Sequence, residues 1–455
     1  MKFKIPEAYS LIIIIVIVAS IATYFVPAGL YDREYNEELD ITSVVEGSYH
    51  SVEATPLSLP DILNSIAKGL MSASDLIIFV LVVGGSFGVI TATGTVNGLV
   101  QGFLTDYEGK EKSIIFKVMF GFALGGAIFG MAEETLPFFP VFVMMALAMK
   151  YDKITGMAMV YIGVTSGFAA GVINPFTTGV AQNIAGLPLF SGISLRLLAF
   201  FIFFITGYIY VYRHGKKVRA KGIVEEYDYF APDLNDHNGL TRTHKLVALV
   251  IVVSIGFMAF GIFKYNFGLT EMLTIFFLMG IVSGLVGKLK INRIISEFTA
   301  GAGNIVYGAM IIGFARAILV VLESGQILDT IIYGLSGLID SVIPSVSAVG
   351  MMLIQSIINV FISSGTGQAA VTMPVMVNIA DLQSITRQTA VLAYQFGDGL
   401  INTITPTSGL LMATLAICDV KWKDWLSWVM PLLIIWMIEG CAIVAFSCII
   451  NYGPF

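Results

Sequence analysis

Apolar runs separated by short polar segments occupy most of this chain, and the lengths of the runs decide what they are. A helix needs about 20 apolar residues to cross a bilayer, and runs of that order fall at 7–29, 74–104, 155–190, 193–213, 245–264, 269–288, 303–335, 388–416 and 425–449. Several exceed one straight crossing, so they are predicted to tilt, break or carry extra turns. Two more apolar stretches, 114–150 and 345–382, each hold a polar island in the middle. The islands are Ala132-Glu133-Glu134-Thr135 and Ser363-Ser364-Gly365-Thr366, and each precedes a Pro-Val step, at Pro140 and Pro374, and a further apolar helix.

Composition supports the membrane reading. The chain has 455 residues, 56% of them hydrophobic and 12% charged, with a mean hydropathy of +0.86; a soluble chain carries about 25% charged residues. The opening Met1-Lys2-Phe3-Lys4 and the apolar run from Ala8 to Val26 resemble a signal peptide. That run is long enough to span and no small-residue cleavage site closes it, so it is expected to be the first span. The loop 213–245 holds Arg213, Lys216, Lys217, Arg219, Lys221, Arg242 and Lys245, and the acidic stretch YDREYNEELD follows the first span. The positive-inside rule then places the N-terminus and the basic loop in the cytoplasm, the acidic loop and the C-terminus outside, and the chain in the cytoplasmic membrane. Lys110, Lys112, Lys150, Lys153, Lys288, Lys290, Arg293, Lys421 and Lys423 also fall inside if 114–150 and 345–382 are re-entrant hairpins, the first entered from the cytoplasm and the second from outside.

The two hairpins belong to a longer repeat. Pro140 and Pro374 lie 234 residues apart, and Pro175 and Pro406 lie 231 apart. The latter pair sits mid-span in GVINPFTTGVAQNIAG and NTITPTSGLLMATLAI, and further upstream TATGTVNGLVQGF sets against LVVLESGQILDTI. Short amphipathic stretches, LPDILNSIAKGL and INRIISEFTAGAG, precede the second span of each copy. The fold class predicted is an all-α polytopic membrane protein built from two inverted repeats, each with a re-entrant hairpin and a broken spanning helix. The repeats are 1–213 and 268–455, joined by a basic cytoplasmic loop and linking helix at 214–267. Inverted repeats with broken helices are a transporter signature, with binding near the midplane.

Breaks at membrane depth free carbonyls and amides that lipid cannot satisfy. One such break is ordinarily a proline kink patched by Ser and Thr; four, paired by an internal repeat, point to a site. Helix N-termini there favour anions, and free carbonyls favour cations. The candidates are Glu133, Glu134, Thr135, Ser363, Ser364, Gly365 and Thr366 at the hairpin tips, with Asn174, Thr177, Thr178, Asp398, Asn402, Thr405, Thr407 and Ser408 on the broken spans.

A small polar tip, a Pro-bearing apolar helix and a span broken at a Thr/Asn-Pro turn together resemble the ion transporter superfamily of secondary carriers. GMAEETLPFFP and NPFTTG are most similar to its YfcC-type group, which contains basic amino-acid antiporters and is similar to the anaerobic four-carbon dicarboxylate carriers. The resemblance covers nearly the whole chain. It implies a scaffold domain and a mobile transport domain, often in a homodimer, working by an elevator-like mechanism. In the superfamily's dicarboxylate carriers both tips read Ser-Asn-Thr and help hold sodium and substrate carboxylates. Ser363-Ser364-Gly365-Thr366 follows that pattern loosely, and Ala132-Glu133-Glu134-Thr135 departs from it, which counts against a sodium-coupled dicarboxylate carrier.

Charge then weighs the substrate. Adjacent carboxylates in a desolvated site resist double ionisation, so either one is protonated or a cation neutralises the pair. Asp398, Glu323 and Glu439 add acids within spans, against one basic group well inside a span, Arg316. Arg316 and Glu323 are charge-partner candidates on one helix face, too far apart for a local pair; Arg316 serves either the site or a glutamate elsewhere. The acidic balance favours a cationic or zwitterionic small molecule, with an amino acid such as arginine or ornithine first and a dicarboxylate as the alternative. A channel would need a continuous polar pore, and the repeats favour a carrier. No phosphate-binding Gly-Lys-Ser/Thr loop or His-rich metal motif occurs, and Cys418, Cys441 and Cys448 have no ligand or disulfide spacing. No enzyme, resident metal, cofactor or nucleic-acid partner is expected; the bilayer is the partner, and Na+ or H+ the candidate coupling ion.

Overall fold

The computed structural model describes residues 8–36, 41–45, 47–96, 110–222, 241–265, 267–338 and 343–453. The end of the stretch read as span 74–104, most of the loop 213–245 and the last four residues of the acidic stretch lie outside the described residues. The chain is a multi-pass helical membrane protein. Among the described residues, seven helices are long and apolar enough to cross a membrane.

Helix α1 (Ala8–Ala22) is shorter than its apolar run, because the chain leaves it for a small flap before Pro27. In the flap, β1 (Gly29–Leu30) pairs antiparallel with β4 (His50–Ser51), and β2 (Arg33–Asn36) with β3 (Ile41–Val44). The buried carboxylate of Asp329 holds the flap down, accepting from the Tyr31 backbone N–H at 3.0 Å and from the Arg33 guanidinium at 2.9 Å. Helix α2 (Leu59–Ser72) is strongly amphipathic and ends at Ala73, where α3 (Ser74–Ala92) begins at once.

Helix α4 (Glu111–Phe129) stops at Gly130, whose φ of 60° is the left-handed conformation that terminates helices. A 3-10 turn over Glu133–Phe138 and α5 (Phe139–Ala148) follow. Helix α6 (Lys153–Ala170) is N-capped by Asp152, which accepts from the Thr155 N–H at 2.8 Å. It ends at Gly171, and after Asn174 a wide π-type turn (Pro175–Gly179) leads into α7 (Val180–Ile184). Helices α8 (Ile193–Lys221), α9 (Arg242–Tyr265), α10 (Leu269–Val286) and α11 (Ile291–Ser324) come next. The remaining order is α12 (Leu328–Gly337), α13 (Pro344–Asn359), α14 (Gly365–Leu382), α15 (Arg387–Ile401), α16 (Gly409–Ile417) and α17 (Trp422–Ile449).

Three details differ from the sequence reading. The span read at 303–335 is two helices, because the chain breaks at Gly325–Ile327 with Gln326 at a φ of 54°. The second amphipathic stretch is not a separate helix like α2 but the first turns of α11, since nothing in it corresponds to the break at Ala73. Helix α4, read as the first leg of a hairpin, has by itself the length and apolarity of a span.

Two helix groups emerge from the packing. Helix α11 packs on α1, α2 and α3, and α3 on α10. In the other group α6 packs on α4, α5, α8 and α15, and α15 on α13, α14 and α17. Close approach depends on missing side chains: a Cβ on Gly167 would collide with the Ala123 backbone between α6 and α4. Helix α16 bridges the groups, packing on α11 and α3 of the first and on α5 and the 3-10 turn before it in the second.

Candidate functional site

A cavity of about 530 Å³ opens where the interrupted helices meet, and residues from both groups line it. The α4–α5 turn supplies Glu133 and Glu134. The Glu134 carboxylate accepts from the backbone N–H of Ala132 at 2.8 Å, so it partly serves its own turn. Thr135 does not reach the cavity; it is buried and its hydroxyl donates to the Ala132 carbonyl at 2.6 Å.

On the first interrupted helix, Asn174 caps the π-type turn, its side-chain oxygen accepting from the N–H of Phe176 at 2.9 Å. It also packs so tightly against Gly130 that a Cβ there would collide with it, which ties the break to the α4–α5 turn. Thr177 lines the cavity and its buried hydroxyl has no partner. Thr178 turns away, its hydroxyl between the Gly171 carbonyl at 2.8 Å and Gln395 at 2.9 Å.

The turn from α13 to α14 supplies Ser363, Ser364, Gly365 and Thr366 to the cavity. This turn is firmly fastened. Ser363 donates to the Thr407 carbonyl at 3.0 Å, Thr366 to the Phe176 carbonyl at 2.8 Å, and the Tyr394 hydroxyl to the Gly365 carbonyl at 2.6 Å. Ser364 caps α14, accepting from the Gly367 N–H. On the second interrupted helix Asn402, Thr407 and Ser408 line the cavity, Ser408 capping α16. Thr405 instead donates to the Ile401 carbonyl at 2.9 Å and only satisfies backbone. The N-termini of α14 and α16 both end at the cavity, each with free backbone donors suited to an anion.

Asp398 lies behind the wall. It is fully buried; one carboxylate oxygen accepts from Asn359 at 2.8 Å, and the other has no partner. The side-chain oxygens of Asn359 and Asn402 are likewise buried and unpartnered. A Cβ on Gly365 would lie 2.9 Å from that free Asp398 oxygen and 2.6 Å from the Thr177 methyl, so these groups crowd around one glycine.

Arg316 reaches the cavity from α11, and Glu323 does not. Glu323 belongs to a separate cavity of about 270 Å³ beside Arg33 and Asp329. Glu439 faces α8, accepting from Thr206 at 2.7 Å. Sequence reasoning missed Asp75, which lines the main cavity from the first turn of α3. It sits at the very edge of an apolar run, where an acid looks like an ordinary helix start; Tyr161 and Thr165 on α6 were missed too. Among the described residues the lining thus holds three carboxylates, Asp75, Glu133 and Glu134, against one guanidinium, Arg316.

The family profile of the C4-dicarboxylate anaerobic carriers (DcuC) matches residues 5–448. The chain belongs to this family of carriers. It is a secondary transporter of the YfcC/DcuC type and not an enzyme. It is 32% identical over 468 residues to YfcC of Escherichia coli (strain K12), provisionally named a basic amino acid antiporter, covering 93% of this chain and 92% of that one. An uncharacterised protein of Haemophilus influenzae (strain ATCC 51907 / DSM 11121 / KW20 / Rd) is 27% identical over 498 residues, covering 98% of this chain and 96% of that one. Two solved transporter structures overlap loosely. YdaH of Alcanivorax borkumensis has 14% identity and a TM-score of 0.43, covering 99% of this chain and 100% of that one. MtrF of Neisseria gonorrhoeae, from a class of antimetabolite efflux pumps, has 19% identity and the same TM-score, covering 100% of this chain and 98% of that one.

Proposed function

We propose that this carrier exchanges basic amino acids across the cytoplasmic membrane, with arginine and ornithine as the model substrates. The observation that carries this reading is the charge of the cavity, three acids against one base among the described lining residues. An amino acid with a cationic side chain fits both ends. Its α-carboxylate meets the N-termini of α14 and α16 beside Ser363, Ser364, Thr366 and Ser408, and its cationic end meets Glu133 and Glu134. Two carboxylates side by side in a desolvated tip stay together because cargo, or a proton taken up in its absence, compensates them. The name borne by the E. coli relative points the same way.

The movement proposed is an elevator-type alternation in which α4–α8 and α13–α17 carry the cavity past α1–α3, α10 and α11, in each subunit of a dimer. In this reading α4–α5 and α13–α14 are re-entrant hairpins of inverted repeats 1–213 and 268–455, with the linker 214–267 cytoplasmic, the N-terminus inside and the C-terminus outside. Asp398 is the proposed seat of the coupling ion. The amides of Asn359 and Asn402 both donate to Asp398, and the oxygens these three side chains leave unpartnered are of the kind that suits a proton or Na+.

A second reading has support in the family itself, whose model describes carriers of C4-dicarboxylates. There Arg316 and the two helix N-termini would hold the carboxylates, and Glu133 and Glu134 would have to be protonated beside them. Counterflow in liposomes with labelled arginine, ornithine and succinate separates the two. Arginine accumulation driven by internal arginine or ornithine is the expected result, and accumulation of succinate alone overturns the proposal.

A further inference from the structure

We infer that the ring of Phe176 makes the site prefer a guanidinium to an ammonium, so that arginine is taken over ornithine; this rests on the reading of the cavity as a site for basic amino acids. Phe176 lies in NPFTTG, on the π-type turn that breaks the first interrupted helix. It lines the cavity and is 59% exposed, although Asn174, Thr177 and Thr178 around it are buried. Its main chain is tied at both ends. The N–H donates to the Asn174 side-chain oxygen at 2.9 Å, and the carbonyl accepts from the Thr366 hydroxyl at 2.8 Å. What Phe176 leaves open is therefore its ring. A phenylalanine ordinarily packs its ring into the core, and this one is held out on a fastened turn.

The same two bonds fix where that turn stands. Thr366 fastens it to the start of α14, one of the proposed seats of the α-carboxylate. Asn174, which meets Gly130 at the end of α4, ties it to the turn that carries Glu133 and Glu134. Thr177, next in the chain, adds a third contact, its methyl 2.6 Å from a Cβ placed on Gly365. A cargo reaching from the α14 N-terminus to the glutamates therefore passes Phe176. The other proline break offers a comparison. Pro175 sets against Pro406, so Phe176 sets against Thr407. Thr407 is buried, its hydroxyl donating to the Val360 carbonyl at 2.7 Å and its carbonyl accepting from Ser363 at 3.0 Å. At both breaks this carbonyl takes a hydroxyl from the turn between α13 and α14, but at the first the side chain is an open ring. The face of such a ring attracts a cation. A guanidinium is planar and weakly hydrated and stacks on it, whereas an ammonium is a compact, strongly hydrated charge. The acids of the cavity serve both cargoes, and the ring adds more for arginine.

The test is counterflow by the full chain in liposomes, with labelled arginine and labelled ornithine taken separately and their apparent KM values compared. In the wild type arginine is expected to have the lower KM. In Phe176→Leu, apolar and without a ring, the arginine KM should rise about tenfold, the scale of a desolvated contact between a cation and a ring, and the ornithine KM by less than about threefold. Phe176→Tyr, which keeps the ring, should hold the wild-type preference, a rescue that a packing role alone does not require. Phe176→Met replaces the Leu variant if that fails to fold, and must behave in the same way. An unchanged arginine KM in the folded Leu variant, an equal rise for both substrates, loss of the preference in the Tyr variant, or a wild type that does not prefer arginine overturns the role of the ring alone. Absence of both arginine and ornithine counterflow in the wild type overturns the substrate reading, and the role of the ring with it.

Discussion

Glu133 and Glu134 stand where the chain turns from α4 toward α5, and Ser364 and Gly365 stand where it turns from α13 into α14. Both turns open on the same cavity. The first is charged, and Glu134 spends a hydrogen bond within the turn itself, accepting from the Ala132 N–H. The second is uncharged and fastened to the rest of the helix group, through Phe176, Thr407 and Tyr394. A tied, neutral turn presents a fixed helix N-terminus, good for holding an anion at one distance. A charged turn with spare carboxylate lone pairs answers to whatever cation is present. The same order of elements has thus been given opposite chemistry at its two turns, and a substrate with unlike ends is what such a site fits.

Exchanging the chemistry of the turns should have the largest effect. Ser364→Asp puts a carboxylate where the substrate's carboxylate is proposed to sit, and arginine counterflow should fall by about a hundredfold or more, from two like charges at short range. Undiminished counterflow in that variant would place the anion end elsewhere. Gly365→Ala should come next, with a loss of about ten- to a hundredfold, because the new methyl meets the Thr177 methyl at 2.6 Å and the free Asp398 oxygen at 2.9 Å. The loss should include a changed dependence on pH or Na+, measured as initial uptake across a series of each; an unchanged dependence removes Asp398 as the seat of the coupling ion. Tyr394→Phe should have the smallest effect, since it deletes a single hydrogen bond to the Gly365 carbonyl. About 1 kcal/mol, or a several-fold rise in the apparent KM with kcat kept, is expected, and a large fall in kcat instead would mean that the second turn moves during transport.

The apolar runs made the helical spans readable, because length and composition alone identify them. The breaks at Pro175 and Pro406 were readable too, since each proline is flanked by Asn, Thr, Ser or Gly, whereas Pro374 and Pro431 stand inside continuous helices. The break after Ser324 was not, because Gly325 and Gln326 carry no such mark and the left-handed φ of Gln326 goes with a distant contact, its carbonyl accepting from the Gly29 N–H at 3.0 Å. The cavity was legible as a collection of residue types rather than as a surface. Of the residues singled out, Glu133, Glu134, Thr177, Ser363, Ser364, Gly365, Thr366, Asn402, Thr407, Ser408 and Arg316 line it. Asn174, Thr178 and Thr405 are spent on the backbone and side chains of the breaks themselves. Which side of a helix a Thr faces cannot be read where every face is apolar and the pattern has no amphipathic phase. Asp75 shows the reverse failure: its position looked like a helix start, and only the packing of α3 against α11 brings it to the cavity.

Arginine counterflow by Glu133→Gln and Glu134→Gln, made separately and reconstituted as folded protein beside the wild type, bears hardest on the reading of the charged turn. Removing one partner of a desolvated charge contact costs about 2–5 kcal/mol. At least one of the two variants is therefore predicted to lose arginine counterflow by thirtyfold or more on that scale. Wild-type counterflow in both variants would contradict the role given to the acid pair.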